Sequence, residues 1–217
     1  MKRLPIVLGF EGKKAVVVGG GRVAARHVTK LINAQMKDII VYSPTVHDEL
    51  IVHINNGAVT WIKETILEPR SFSADFLLLT TPNEDLHRKL YQYKKPYQLV
   101  YVATNHELSD IHFPLTIRRG ALTIALTTNG SSPLYTKRIK QMIEQNLDDH
   151  IEEDLAFLYE VRLRLKQMNI SKEKRQTLLK MVISDSVLRR SDRQLYVEEL
   201  IRNKVFDETN DEYDNQR

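Results

Sequence analysis

Apolar positions follow two alternating rhythms over the first hundred residues. Lys14-Ala15-Val16-Val17-Val18 is a short β-branched run, and beyond a glycine-rich turn Val23, Val28, Leu31 and Ile32 recur at helical spacing. The alternation continues with a strand over 38–42 and a short helix carrying Leu50, Ile51 and Ile54 that closes near Asn55-Asn56-Gly57. A third strand is predicted over 59–62, a fourth over 76–81, a helix over 85–93 and a fifth strand over 99–104. Strand and helix in alternation predict a βαβ series, and the unbroken run Phe76-Leu77-Leu78-Leu79 is that of a parallel strand covered on both faces.

The rhythm changes near residue 112. Leu115-Thr116-Ile117-Arg118 and the run over 122–128 flank Arg119-Gly120-Ala121, which predicts two strands joined by a tight turn. Asn129-Gly130-Ser131-Ser132-Pro133 then supplies a turn, an N-cap serine and a proline at the first helical position, ahead of Ile139, Met142, Ile143 and Leu147. From Asp148 onward glycine is absent and apolar residues recur helically, predicting about three helices as a small bundle, with a capping box at Ser191 and Gln194. The expected division is 1–112 for the first domain, 113–148 for two strands and a helix, 149–206 for the helical domain, and 207–217 for a disordered acidic tail.

Composition narrows the chemistry. The 217 residues suffice for one substantial core and a smaller accessory domain. Zero cysteines exclude disulfides, thiolate metal sites and cysteine nucleophiles, and fit a reducing cytoplasm. No metal-ligand set is assigned. The N-terminal apolar stretch is too brief for a signal peptide, and no run approaches a membrane span, so the expectation is a soluble cytoplasmic protein without membrane partners. Lys+Arg 32 against Asp+Glu 28 is near balance, and with no recognition helix or aromatic platform nucleic acid is not an expected partner. The charge is local instead: Arg118, Arg119, Lys137, Arg138 and Lys140 concentrate positive charge in the middle, where a small polyanion would suit.

The glycine turn carries the most specific chemistry. Gly19-Gly20-Gly21-Arg22-Val23-Ala24 is a G-x-G-x-x-A turn between a strand and a helix, the arrangement that holds a dinucleotide. Gly19 permits the bend, Gly21 lets the backbone approach a pyrophosphate on the helix N-terminus, and Ala24 keeps helix close to strand. A purely structural glycine turn is the alternative. The second strand leads into Ser43 and Pro44, with no acidic residue for a ribose, so NAD and NADP stay open on these residues. Thr80 and Thr81 close the fourth strand where cofactor and substrate would meet, although helix capping explains such residues equally. Tyr91 and Lys95 match a short-chain dehydrogenase spacing but precede the fifth strand, too early for that arrangement.

Taken together, the chain resembles the precorrin-2 dehydrogenase / sirohydrochlorin ferrochelatase family, the siroheme-synthase N-terminal module, over residues 3–205. The resemblance rests on the run from Val17 to Ala24, on Val41-Tyr42-Ser43-Pro44, on Thr80-Thr81, on Asp110-Ile111-His112-Phe113-Pro114 and on Thr128-Asn129-Gly130-Ser131-Ser132-Pro133. It implies a Rossmann-like parallel sheet binding NAD, a central dimerisation region, a helical C-terminal domain and a homodimer that oxidises precorrin-2 to sirohydrochlorin. Some members of the family also insert iron.

One departure bears on mechanism. The family's aspartate after the fifth strand, its favoured base and metallation residue, aligns with Thr104, and the family's asparagine in the preceding helix aligns with His87. Threonine neither takes a proton usefully nor attracts a metal cation, so iron insertion is expected to be weak or absent. Thr104, Asn105, His106 and Asp110 are the catalytic candidates, with His106 and Asp110 the plausible replacement bases; a surface histidine and a turn-capping aspartate are their plain alternatives. Ser132 matches the serine of the family's G-x-S-P turn, and with Arg118, Lys137 and Arg138 it is expected to meet substrate carboxylates. A member that binds nucleotide or tetrapyrrole without catalysis is the competing reading.

Overall fold

The computed structural model describes residues 4–214, with side chains through Lys204. It divides into two compact units, 1–113 and 114–217. In the first, β1 (Lys14–Val18), β2 (Asp38–Tyr42), β3 (Thr60–Ile62), β4 (Phe76–Leu79) and β5 (Leu99–Val102) form a wholly parallel sheet in the order β3-β2-β1-β4-β5. The helices α1 (Arg22–Asn33), α2 (Asp48–Asn55) and α3 (Glu84–Gln92) connect the strands. This is the doubly wound α/β arrangement that the alternating rhythm predicts.

Period-two alternation splits each strand between two cores. Ala15, Val17, Ile39, Val41, Phe76 and Leu78 bury against Ala24, Ala25, Val28 and Leu31 of α1 and Leu50 of α2. Their neighbours Val16, Val18, Leu77, Leu79, Val100 and Val102 bury on the opposite face, against Leu86 and Leu90 of α3. Full burial of each Val or Leu is worth about 1.5–3 kcal/mol, and this two-sided burial is why the strands read as continuous apolar runs.

Strand register sets the site. Val18 pairs with Tyr42 on one side and Leu79 on the other, and Leu79 pairs with Val102. The residues that follow, Gly19, Ser43, Thr80 and Ala103, therefore emerge level along the C-terminal edge of the sheet. The crossover from β3 to β4 passes beside β1, which puts the switch point of the topology between β1 and β4. The third strand starts at Thr60 rather than 59, and the fourth and fifth stop at Leu79 and Val102, two residues short of the sequence expectation. Thr80, Thr81 and Thr104 thus lie above the edge, beyond the last paired residues of their strands.

In the second unit, β6 (Leu115–Arg119) and β7 (Leu122–Leu126) form an antiparallel hairpin turned at Gly120, φ +51°, where a Cβ would press on Glu152. The helix α4 (Pro133–Asn146) starts at its proline and is capped by Ser132, whose side chain accepts from the Tyr135 amide at 3.3 Å. Four helices follow rather than about three: α5 (Ile151–Gln167), α6 (Lys172–Val182), the one-turn α7 (Asp185–Leu188) and α8 (Arg193–Asp214). Phe157, Val161, Leu165, Leu178, Val182, Val197 and Ile201 are their shared core. Buried Asp154 accepts from Arg189 and Arg193, each at 2.7 Å, tying α5 to both ends of the α7–α8 turn.

Two expectations about α8 are corrected. It begins at Arg193, so Asp192, which accepts two bonds from Arg190, precedes the helix and the Ser191–Gln194 capping box does not form. The helix also continues through 207–214, where an acidic disordered tail is predicted from composition, because extending an existing helix costs far less than nucleating one. Residues 215–217 lie outside the described residues. No helix among the described residues is long and apolar enough to cross a membrane.

Candidate functional site

The head of α1 is built as an anion cradle. The helix has no side-chain N-cap and no acidic residue in its first turn, and its first internal bond runs from the Ala25 amide to the Gly21 carbonyl at 3.0 Å. The amides of Arg22, Val23 and Ala24 precede that bond and have no partner within the helix, and the macrodipole adds partial positive charge there. Arg22 stands exposed beside them, while Ala24 is fully buried against the sheet.

Each glycine of the turn has a different reason to be glycine. Gly19 sits at φ +111°, and a Cβ there would lie 2.7 Å from Thr80 Oγ1 and 3.0 Å from Thr81 N. Gly20 is the most confined: a Cβ would collide with the Thr45 carbonyl and stand 2.8 Å from Ser43 Cβ and Oγ. Gly21, with φ −78°, has nothing within 4 Å of its missing Cβ. Its backbone suits any residue, so what glycine provides at 21 is empty space above the helix head, the room a diphosphate needs.

The loops around the turn are pinned to it. The Gly19 amide donates to the Tyr42 carbonyl at 2.9 Å, the His47 amide to the Gly20 carbonyl at 2.8 Å, and the Thr80 amide to the Val18 carbonyl at 2.9 Å. Thr80 Oγ1 also donates to the Val18 carbonyl at 3.0 Å. Trp61 Nε1 donates to the Ser43 carbonyl at 2.9 Å, which fixes the loop after β2, where Ser43 is buried and Pro44 exposed. All ten predicted cofactor residues from Gly19 through Thr81 thus gather at one end of one sheet.

The four catalytic candidates separate. Asn105 Oδ1 accepts from the Glu107 and Leu108 amides, and its Nδ2 donates to Glu84, so it organises its own turn. His106 stacks on His112, ring centroids 3.8 Å apart. Asp110 accepts from Tyr91 Oη and Lys94 Nζ, both at 2.7 Å, and from the Val100 amide at 3.0 Å. Burial alone would raise its carboxyl, but the Lys94 and Tyr91 bonds outweigh it and hold Asp110 below the usual carboxylate range. A carboxylate so engaged braces the loop after β5 and is a poor proton acceptor.

Thr104 is exposed, and its Oγ1 lies 2.9 Å from His87 Nδ1. His87 itself is fully buried, and its other nitrogen, Nε2, lies 2.9 Å from Thr81 Oγ1. Burial pushes His87 down to about 4, against a smaller upward pull from Glu84, so it is neutral at physiological pH. Sequence reading names His87 only as a departure from the family and misses its contacts; the signal available there was its simultaneous change with Thr104. Ser132, Arg118, Lys137 and Arg138 belong to the second unit, where Arg118, Lys137 and Arg138 are exposed.

Comparison with known proteins covers most of the chain. Residues 6–115 match the model of an NAD(P)-binding family, residues 119–146 the central domain of sirohaem biosynthesis proteins, and residues 152–204 the SirC C-terminal domain. A precorrin-2 dehydrogenase from Priestia megaterium is 31% identical over 180 residues, 83% of this chain and 89% of that protein. Another from Bacillus subtilis (strain 168) is 30% identical over 159 residues, 73% of this chain and 98% of its own length. A siroheme synthase from Zymomonas mobilis is 27% identical over 169 residues, 77% of this chain but 36% of the longer protein. A solved structure of SirC, precorrin-2 dehydrogenase, superposes with a TM-score of 0.79 at 28% identity, over 93% of this chain and 100% of that one.

Proposed function

Because this chain belongs to the precorrin-2 dehydrogenase family, we propose that it oxidises precorrin-2 to sirohydrochlorin in siroheme biosynthesis, with NAD as the hydride acceptor. The observation that carries the reading is the cradle at the switch point: three unpartnered amides at the head of α1 beneath the open space at Gly21. Those amides and Arg22 hold the diphosphate, Thr80 fixes the Gly19 bend, and Ser43 with Pro44 lines the ribose side. When bound, the oxidised nicotinamide supplies the electrophilic carbon that takes hydride. What the chain contributes is placement: the edge at Thr80 and Thr81 sets where a substrate carbon can approach.

The substrate carries several carboxylates, and exposed Arg118, Lys137 and Arg138 supply charges to meet them, together with the N-terminus of α4 at Ser132. Leu134, Tyr135 and Met142 leave apolar surface exposed on α4, which supports a homodimer through this region. The absence of cysteine is compatible with work in the cytoplasm. With Thr104 where the family carries an aspartate, iron insertion is weak or absent in this reading. The same substitution is what favours the second reading, a member that binds nucleotide or tetrapyrrole without oxidising it.

Anaerobic incubation with precorrin-2 and NAD tests both. Wild-type protein is expected to produce NADH at 340 nm stoichiometrically with sirohydrochlorin, and calorimetry is expected to give tighter binding of NAD than of NADP. Gly21→Asp is the control, since the open space lets it fold with an unchanged Tm while its carboxylate repels the diphosphate. Nucleotide binding with no NADH would leave the non-catalytic reading.

A further inference from the structure

His87 joins the end of β4 to the end of β5. Its Nε2 and Nδ1 each lie 2.9 Å from a hydroxyl, Thr81 on one side and Thr104 on the other. Burial does not enforce such pairing: His27, also buried in this unit, has neither ring nitrogen bonded. Thr81 Oγ1 accepts in addition from the Asn83 amide at 3.4 Å, and in the tautomer that protonates Nε2 the Thr81 hydroxyl proton is directed away from the ring. Thr104 is exposed and Thr81 partly so, while the imidazole between them is sealed from water. The charged group that faces His87 electrostatically is Glu84, at the start of the same helix.

We propose that Thr104, His87 and Thr81 form a hydroxyl–imidazole–hydroxyl chain that carries away the proton released when the substrate is oxidised. This rests on the dehydrogenase reading above. Two-electron oxidation removes one hydride, taken by the nicotinamide, and one proton. Loss of hydride leaves the macrocycle cationic, and its proton passes to Thr104 Oγ as the Thr104 hydroxyl proton passes to His87 Nδ1. The imidazolium then gives its Nε2 proton to Thr81 Oγ as Thr81 releases its own to solvent, so both hydroxyls end as they began and the ring ends as its other tautomer. Once product leaves, a proton entering Nε2 from solvent by way of Thr81 and one leaving Nδ1 by way of exposed Thr104 restore the starting tautomer. A neutral imidazole with one free lone pair suits this step, and a weak base suffices because the cation is a strong acid. Thr104 is the group that meets substrate; His87 acts through it and is a positioning residue that also stores the proton.

Steady-state NADH formation with precorrin-2 in five proteins tests the chain: wild type, Thr104→Val, His87→Asn, Thr104→Asp and the Thr104→Asp/His87→Asn double variant. Thr104→Val and His87→Asn are each expected to lower kcat by about 10²-fold, at the lower end for lost general-base help, with KM for NAD within about twofold. Thr104→Asp supplies its own base, so its kcat returns to within about fivefold of wild type, and in that background His87→Asn costs less than about threefold. An equal cost of His87→Asn in both backgrounds makes His87 a structural residue and overturns the chain. Wild-type kcat in Thr104→Val overturns it while the dehydrogenase reading stands; no NADH from wild type removes both. Should His87→Asn fail to fold, Thr104→Ser decides, since restoring the hydroxyl must restore the rate lost in Thr104→Val.

Discussion

His27 offers a measurable link between burial and acid stability. It is 3% exposed on the inner face of α1, with the Tyr101 and Phe113 rings 4.5 and 4.6 Å away and neither ring nitrogen hydrogen-bonded. Burial first, then the nearby Lys30 and Arg26 charges, holds its pKa at about 3 against an ordinary 6.5. The unfolded chain therefore binds a proton below pH 6.5 that the native state refuses until pH falls to about 3, so stability drops as pH falls through that window. The unfolded-state gain is about 0.2 kcal/mol at pH 7 and about 2 kcal/mol at pH 5 for this one residue. His87, held near 4, adds a similar loss.

His27→Phe keeps an aromatic ring between Tyr101 and Phe113 and removes the titration. At pH 7 two effects oppose: relief of two unbonded buried nitrogens stabilises by about 1–3 kcal/mol, and the larger ring costs a comparable amount in crowding. The pH dependence carries no such ambiguity. Urea denaturation at pH 7 and pH 5 is expected to show the variant losing about 2 kcal/mol less than wild type over that interval. A decline equal in both proteins, within about 0.5 kcal/mol, would refute the claim that His27 is buried in neutral form.

Gly20→Ala, which drives a Cβ into the Thr45 carbonyl and Ser43, is expected to destabilise by about 1–3 kcal/mol and to abolish dinucleotide binding, as read by thermal melts and calorimetry. Gly21→Ala, with open space above it, is expected to melt within a degree or two of wild type, and equal Tm losses at 20 and 21 would contradict the geometry. Asp154→Ala removes the buried carboxylate that joins Arg189 and Arg193, which keep the Asp148 carboxylate and the Leu188 carbonyl respectively, and is expected to cost about 1–3 kcal/mol, seen as faster proteolysis within residues 150–204. Asp110→Asn loses the Lys94 contact at the surface and is expected to lower stability by about 1 kcal/mol while leaving kcat within twofold; a hundredfold fall in kcat would make Asp110 the base instead.

The parallel sheet was legible because two-sided burial writes itself as uninterrupted apolar runs, and the α1 cradle because a bend at φ +111° demands glycine. Gly20 was harder to rank: its confinement comes from Ser43 and Thr45, more than twenty residues away, and only folding brings them close. For the same reason Asp110 and His106 read as chemically available when their partners Tyr91, Lys94 and His112 could not be placed. His87 and Thr104 stand seventeen residues apart, and their contact depends on β4 and β5 being neighbours with one strand register. The acidic tail misled in the other direction, since composition describes an isolated segment and α8 reaches it already formed.

The bareness of position 21 also makes it an access point. A protein with no thiol of its own and one backbone site that tolerates any side chain at the mouth of its cradle can carry a single cysteine there, at a helix head that favours the thiolate. Alkylating that handle would fill the room above the helix head and close the cradle to a dinucleotide in a protein that stays folded.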